Sequence, residues 1–204
     1  MLHKGTIEII SNRIILRKFN EKDILPSFEN WARDYKTTEF LNWKPHEDIL
    51  KTEVIILDWI NKYQNKLFYK WAIVPKLLNE PIGAISITQI NDFTSSLRLD
   101  YFIGSKWWHQ GYMTETLSII VPYLFDEIKA NRIEALYDTR NENAGKLLSK
   151  CGFLYEGTLR NADINNSGLS DVAIYAYLAS DYYRKKDMPI WSIKNEKNYN
   201  KFSI

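Results

Sequence analysis

Residues Leu97 to Lys129 constrain the fold of this chain more than any other stretch. Leu97, Leu99, Tyr101 and Ile103 alternate with more polar neighbours, the period of a strand with one buried face. Met113, Leu117, Ile120, Val121, Leu124, Phe125 and Ile128 then recur at helical spacing on a single face. A short loop with Gly104 and Gly111 joins the two. Strand, loop and helix N-terminus together can hold an anion. The first N–H groups of a helix have no intrahelical partner, and the helix dipole favours negative charge beside them. A glycine before a helix is also an ordinary turn, so spacing alone does not decide between cradle and turn.

The surrounding sequence predicts how this unit is embedded. Thr6 to Ile10 and Arg13 to Arg17 read as a hairpin or bent edge strand. Asn20 is an N-cap for a helix over Glu21 to Ala32, perturbed early by Pro26. Tyr35 to Glu47 reads as a loop, and a second helix runs from Asp48 to Asn65 with Leu50, Val54, Leu57 and Ile60 on one face. Strands over Lys66 to Val74 and Ile82 to Gln89 lead by short turns into the Leu97 strand, which implies an antiparallel meander. After the central helix, Ile133 to Tyr137 reads as a strand, so strand, helix, strand predicts one parallel crossover. Ala144, Leu147, Leu148 and Cys151 make a short amphipathic helix closed by Gly152. Final strands are expected over Phe153 to Arg160 and Asp171 to Leu178, with Asn161 to Gly168 as the turn.

The chain has 204 residues, enough for one domain with a real core, expected over residues 1–183. Residues 184–204 form a basic tail, expected to pack loosely or face a partner. The net charge of +2 argues against a nucleic-acid partner. No apolar run approaches the ~18 residues that cross a bilayer, and the N-terminus has no secretory pattern. The single Cys151 excludes an intramolecular disulfide and fits a reducing, cytoplasmic setting, with a packing role expected for the thiol. Seven Trp and thirteen Tyr serve either a ring-rich core or a ring-lined pocket.

Two motifs carry a resemblance. Tyr101-Phe-Ile-Gly104 followed by Trp108-His-Gln-Gly-Tyr-Met-Thr-Glu115 resembles motif A of the GNAT acetyltransferases, in the branch of RimJ and RimL. Asn141, Ala144, Lys146, Leu148, Lys150, Gly152 and Phe153, then Glu156-Gly157 and Arg160, resemble the second half of the same site. Asp171 and Tyr175 also match this branch, and the likeness covers Arg13 to Tyr183. It implies an α+β fold: a mostly antiparallel, twisted sheet of six to seven strands, flanking helices and one parallel crossover at the cofactor site.

The resemblance further implies transfer of an acetyl group from acetyl-CoA to a primary amine by direct attack in a ternary complex. A peptide or ribosomal-protein N-terminal amine is the acceptor suggested by this branch, where small amines also occur and homodimers are common. No metal is expected. His109, Gln110, Gly111, Tyr112, Met113 and Thr114 would cradle the pyrophosphate. Phe102 and Ile103 would pair with the pantetheine arm through their backbone, and Asn141, Ala144 and Lys146 would complete the cofactor site. Tyr35, Trp43, Tyr101 and Asp171 would line the acceptor pocket, with Phe40 and His46 near it. Glu115 is the first candidate base and Asp100 the second; Glu115 also suits a purely stabilising role at the helix N-terminus.

The sequence departs from the branch pattern in five places, one of them Asp100, where the branch often has Gly. His109 replaces Gly, Met113 replaces Ala or Gly, Ala144 replaces a Ser, and Leu148 stands where related enzymes place an acidic Tyr. With no evident general acid, a catalytically weak acyl-CoA-binding or regulatory module is the alternative to the enzyme.

Overall fold

The computed structural model describes residues 1–187. A small hairpin opens the chain, with β1 at Ile9–Ile10 and β2 at Ile14–Arg17. Asn20 then forms a capping box with Asp23, as its residue type predicts. The helix expected over residues 21–32 is instead three short pieces: a 3-10 turn at Glu21–Asp23, α1 at Ile24–Ser27 and a π turn at Phe28–Ala32. Pro26 explains the first break, because its missing N–H is tolerated only in the opening turn of a new helix. The wider π turn carries Trp31 and Ala32 into the core.

A second difference lies at residues 35–47. Asp34 accepts from the Lys36 N–H and starts a single helical turn, α2 at Tyr35–Thr38, inside the expected loop. Helix α3, Ile49–Lys62, is capped by Asp48. Its buried face is not the expected one: Leu50 and Val54 are 60% and 67% exposed, while Thr52 and Ile56 are fully buried. A buried hydrogen bond of 2.7 Å between Thr52 Oγ1 and His46 Nδ1 sets that rotation. Stacking of Trp59 on Trp31 reinforces it.

Strands β3 (Tyr69–Pro75), β4 (Gly83–Asn91) and β5 (Ser96–Ile103) form the antiparallel meander. Helix α4 spans Tyr112–Asp126, and β6, Arg132–Asp138, returns parallel to β5. Helix α5, Glu142–Lys150, precedes β7 at Leu154–Asn165 and β8 at Gly168–Leu178. The last hairpin is therefore longer than expected, turning only at Asn166 and Ser167. Gly168, at φ +93°, accepts the tight reversal. The tip is anchored where Asn166 Nδ2 donates to the carbonyls of Thr38 (2.8 Å) and Trp43 (2.7 Å). Helix α6, Ala179–Asp187, runs through the expected boundary at residue 183. Residues 188–204 of the expected tail lie outside the described residues.

The eight strands make one sheet in the order β1-β2-β3-β4-β5-β6-β8-β7. The count exceeds six to seven because β1 pairs separately with β2. Among the described residues only β5 and β6 pair in parallel. One face of the sheet receives α4, whose Met113, Leu117, Ile120, Leu124 and Phe125 are all buried against Leu97, Leu99, Ile133 and Ala135. Each such side chain contributes about 1.5–3 kcal/mol when fully buried. The other face carries Phe19, Trp31, Ile56, Ala72, Val74 and Ala84. Arg98, Asp100 and Phe102 of β5 alternate with the α4-facing residues, so they belong to this second side.

Candidate active site

The site begins where two parallel strands part. β5 and β6 pair from Ser96↔Arg132 to Leu99↔Ala135 and no further. β5 stays paired with β4 as far as Ile103, and β6 stays paired with β8 as far as Asp138. From Asp100 to Ile103 one edge of β5 therefore has no strand partner. A cleft of about 740 Å³ opens there, walled by β5, β6 and the N-terminal ends of α4 and α5. Unpaired strand edges accept extended ligands by main-chain hydrogen bonding.

The N-terminus of α4 forms the far end of this cleft. Helices α2, α3 and α5 are each capped by an Asp or Asn side chain, whereas the N-cap of α4 is Gly111, at φ +81° and with no side chain to offer. The first intrahelical bond is donated by Glu115 N to the Gly111 carbonyl at 3.0 Å. The N–H groups of Tyr112, Met113 and Thr114 thus point out of the helix uncapped, and all three residues line the cleft. His109, at φ +60°, bends the chain into this turn and is exposed at the cleft. Such an arrangement suits a phosphate. The loop is held from below: Ser105 N donates to Asp34 at 2.8 Å and Trp108 Nε1 donates to the Ile103 carbonyl at 2.8 Å.

On the opposite wall stand Asn141, Ala144 and Lys146 of α5. Asn141 caps that helix through Ala144 N at 3.3 Å, and Lys146 pairs with Glu142 at 3.0 Å. Tyr137 on β6 packs its hydroxyl against the α5 backbone at Gly145, where any Cβ would collide with it. Burial, with the Tyr175 hydroxyl adding to it, pushes the Tyr137 pKa up to about 12. Burial likewise raises the Cys151 thiol to about 11, which keeps it protonated.

A second hollow of about 520 Å³ lies across the sheet. It meets the cleft at the parting of the strands, since Leu99, Asp100, Phe102, Leu136, Tyr137 and Asp138 line both. Its apolar wall is made of Phe40, Trp43, Trp59 and Phe102 over the buried Trp31. Asp100 is open to water here yet sits deep between strands. Desolvation therefore raises its pKa above the ordinary carboxylate range, against the opposing field of Lys70 and the Tyr101 amide. Asp138 is the converse case: the Arg140 and Asn165 side chains outweigh its burial and hold it below that range.

The structure gathers most of the sequence-predicted residues around these two hollows. Phe102, Ile103, His109, Gly111, Tyr112, Met113, Thr114, Asn141, Ala144 and Lys146 line the cleft, with Tyr101 beside them. Trp43 and His46 line the second hollow, and Phe40 both. His46 is buried, and that burial lowers its pKa to about 4, so it stays neutral.

Four residues lie elsewhere. Tyr35 is 70% exposed. Gln110 gives its side chain to the Lys106 carbonyl at 2.9 Å. Asp171 accepts the Asn161 N–H at 2.8 Å and braces the β7–β8 hairpin. Glu115 is held by that other hairpin, β1–β2: its carboxylate accepts from Ser11 Oγ (2.7 Å), Arg13 N (2.9 Å) and Arg13 Nε (2.6 Å).

Partial burial alone would raise the Glu115 pKa, but these donors overcome it and hold the group below its ordinary value. A carboxylate whose folded pKa is depressed stabilises the fold above its unfolded pKa. That stability is lost as pH falls through the folded value. Glu115→Gln should therefore cost about 1–2 kcal/mol at neutral pH. The difference from the unsubstituted chain should shrink in acid, measured by denaturant unfolding at pH 7 and below pH 4.

Lys70, Trp31, Trp59 and Arg98 line the second hollow without having been singled out in the sequence. Lys70 did leave a signal, as the lone cation inside the apolar run Leu67 to Val74. Among the described residues no three His, Cys, Asp or Glu side chains are grouped to hold a metal ion, and no helix is long and apolar enough to cross a membrane.

Comparison with known proteins agrees with this geometry. A family profile described as acetyltransferase (GNAT) domain matches residues 13–154. The Bacillus subtilis protein named uncharacterized N-acetyltransferase YoaA is 28% identical over 166 residues, 81% of this chain and 93% of its own. The [ribosomal protein uS5]-alanine N-acetyltransferase of Escherichia coli is 24% identical, over 86% of this chain and 93% of that protein. Among solved structures, RimL, the ribosomal L7/L12 α-N-protein acetyltransferase in complex with coenzyme A, superposes with a TM-score of 0.72 at 18% identity. It covers 83% of this chain and 96% of the other. The chain belongs to the GNAT family, the acetyl-CoA-dependent N-acetyltransferases.

Proposed function

We propose that this chain transfers the acetyl group of acetyl-CoA directly to a primary amine in a ternary complex. The observation that carries the reading is the junction of two hollows at Asp100, one bounded by an uncapped helix N-terminus and a free strand edge, the other by rings and charges. The pyrophosphate of the donor fits the amides of Tyr112 to Thr114. The pantetheine arm fits the free edge of β5 at Phe102 and Ile103, with Asn141 opposite. The amine enters from the 520 Å³ hollow and meets the thioester where the strands part.

An alkyl ammonium has a pKa near 10 and must lose a proton before it attacks. Asp100, with its raised pKa, is the base placed to take that proton, directly or through a water. The neutral nitrogen then adds to the thioester carbonyl, the carbon–sulfur bond breaks, and the second nitrogen proton passes through solvent to the departing CoA thiolate, leaving a neutral amide and the CoA thiol. Most of the acceleration comes from holding the two reactants together. Glu115, in this reading, supports the α4 N-terminus rather than the chemistry.

The ribosomal-protein acetyltransferases among the relatives favour a peptide α-amine as acceptor, in the cytoplasm. The test is incubation with acetyl-CoA and an acceptor panel of peptides and small amines, reading free thiol and acetylated product by mass spectrometry. Acetylated amine supports transfer. Tight acetyl-CoA binding with no product from any acceptor favours the second reading, an acyl-CoA-binding module, which the apolar Ala144 and Leu148 motivate.

A further inference from the structure

Among the described residues, three charged side chains of the second hollow, Lys70, Asp100 and Asp163, are left without an ion-pair partner, and Asp163 accepts the Ile164 N–H at 2.8 Å. Arg98 is paired with Glu134 at 2.7 Å, and Asp138 is satisfied by Arg140 and by Asn165 at 2.7 Å. Lys70 and Asp100 are different. Among the described residues neither has an oppositely charged side-chain atom within 4.0 Å. Lys70 Nζ stands 4.2 Å above the ring centroid of Trp59, half-buried. The two belong to one row across the sheet, because Lys70 pairs with Ser86 and Ser86 with Asp100. Two strand spacings put their Cα atoms about 10 Å apart on the same face.

We infer that the acceptor is an aminocarboxylate, a primary amine that also carries a carboxylate, bound with its amine at Asp100 and its carboxylate at Lys70. This deepens the acetyl-transfer reading and rests on it. A ligand with both charges satisfies Lys70 and Asp100 at once, and the reverse orientation would set like charges against each other. The polarity also agrees with the chemistry. Asp100 lines both hollows and so marks the thioester end, whereas Lys70 lines only the acceptor hollow. One cation balances one carboxylate, and Asp163 at the same hollow adds a negative charge that disfavours a dianion such as phosphate. The partly exposed rings of Trp43, Trp59 and Phe40 offer the ligand's carbon body an apolar wall.

The carboxylate can come from a free amino acid or from an acidic side chain at a peptide N-terminus, and two substrate pairs separate these sources. Phenylalanine is compared with phenylalaninamide, and Glu-Gly-Gly-amide with Gln-Gly-Gly-amide, by kcat/KM for CoA release. The charged-to-neutral ratio is read in the unsubstituted protein and in Lys70→Met and Lys70→Glu, because the amine basicities within a pair differ and cancel only in that comparison. Lys70→Met should lower the ratio about tenfold in the pair that matches the natural acceptor, and Lys70→Glu should lower it further. Coenzyme A affinity, measured alongside, reports that the variants are folded. A ratio unmoved by both substitutions in both pairs, with turnover continuing, overturns this inference and leaves acetyl transfer standing. Bound acetyl-CoA with no turnover of these four amines, while other amines of the wider acceptor panel are acetylated, overturns this inference alone, and no turnover of any amine in that panel overturns both.

Discussion

Asp100→Asn should lower kcat by about 10²- to 10⁴-fold, the range of a lost general base, while coenzyme A binds as before. The substitution keeps shape and removes the proton acceptor at a carboxylate that lines both hollows and that, unlike Asp138 beside it, is not engaged by an arginine. The pH profile gives a second readout. Desolvation raises the Asp100 pKa, so its ionised, proton-accepting form is lost as pH falls through a value above the ordinary carboxylate range. Activity should therefore have an acidic limb displaced upward, and Asp100→Asn should abolish that limb. A variant with full kcat and an unchanged limb would assign the proton to another group.

The second large effect is expected at Gly111. Gly111→Asp should weaken coenzyme A binding at least about 100-fold, equivalent to about 2.7 kcal/mol, with a smaller loss of stability of about 1–2 kcal/mol from the left-handed backbone. Aspartate tolerates left-handed backbone better than most residues, but φ +81° and a Cβ that would meet the Arg13 guanidinium at 3.3 Å still strain it. Its carboxylate would occupy the free amides of the first turn and repel phosphate from them. Titration calorimetry with coenzyme A, alongside thermal unfolding, separates these two effects. Equal loss of affinity and of stability would instead mean that the loop had collapsed.

Much of this site could be read from residue patterns, and the reasons for success and failure are specific. The stretch from Leu97 to Lys129 folds as its two periods dictate, because strand and helix each bury one continuous apolar face. Asn141 and Gly152 cap α5 at both ends, as their residue types require. Helix α3 escaped because Leu50 and Val54 form a convincing ridge that the fold leaves in water. A buried polar pair, Thr52 with His46, overrides it, and no periodicity announces such a bond. The extended β7–β8 hairpin escaped because its tip is held by the distant carbonyls of Thr38 and Trp43. Lys70 and Asp100 meet one hollow only through the register of three strands. Glu115, the last residue of the first motif, is claimed by Arg13 of the first hairpin.

A structure of the complex with coenzyme A tests the central claim most directly. The account predicts the pyrophosphate within hydrogen-bonding distance of the Tyr112 to Thr114 amides, the pantetheine along the free edge of β5, and the thiol beside Asp100 where β5 and β6 part. Coenzyme A bound away from this parting, or a thiol separated from Asp100 by the sheet, would contradict it.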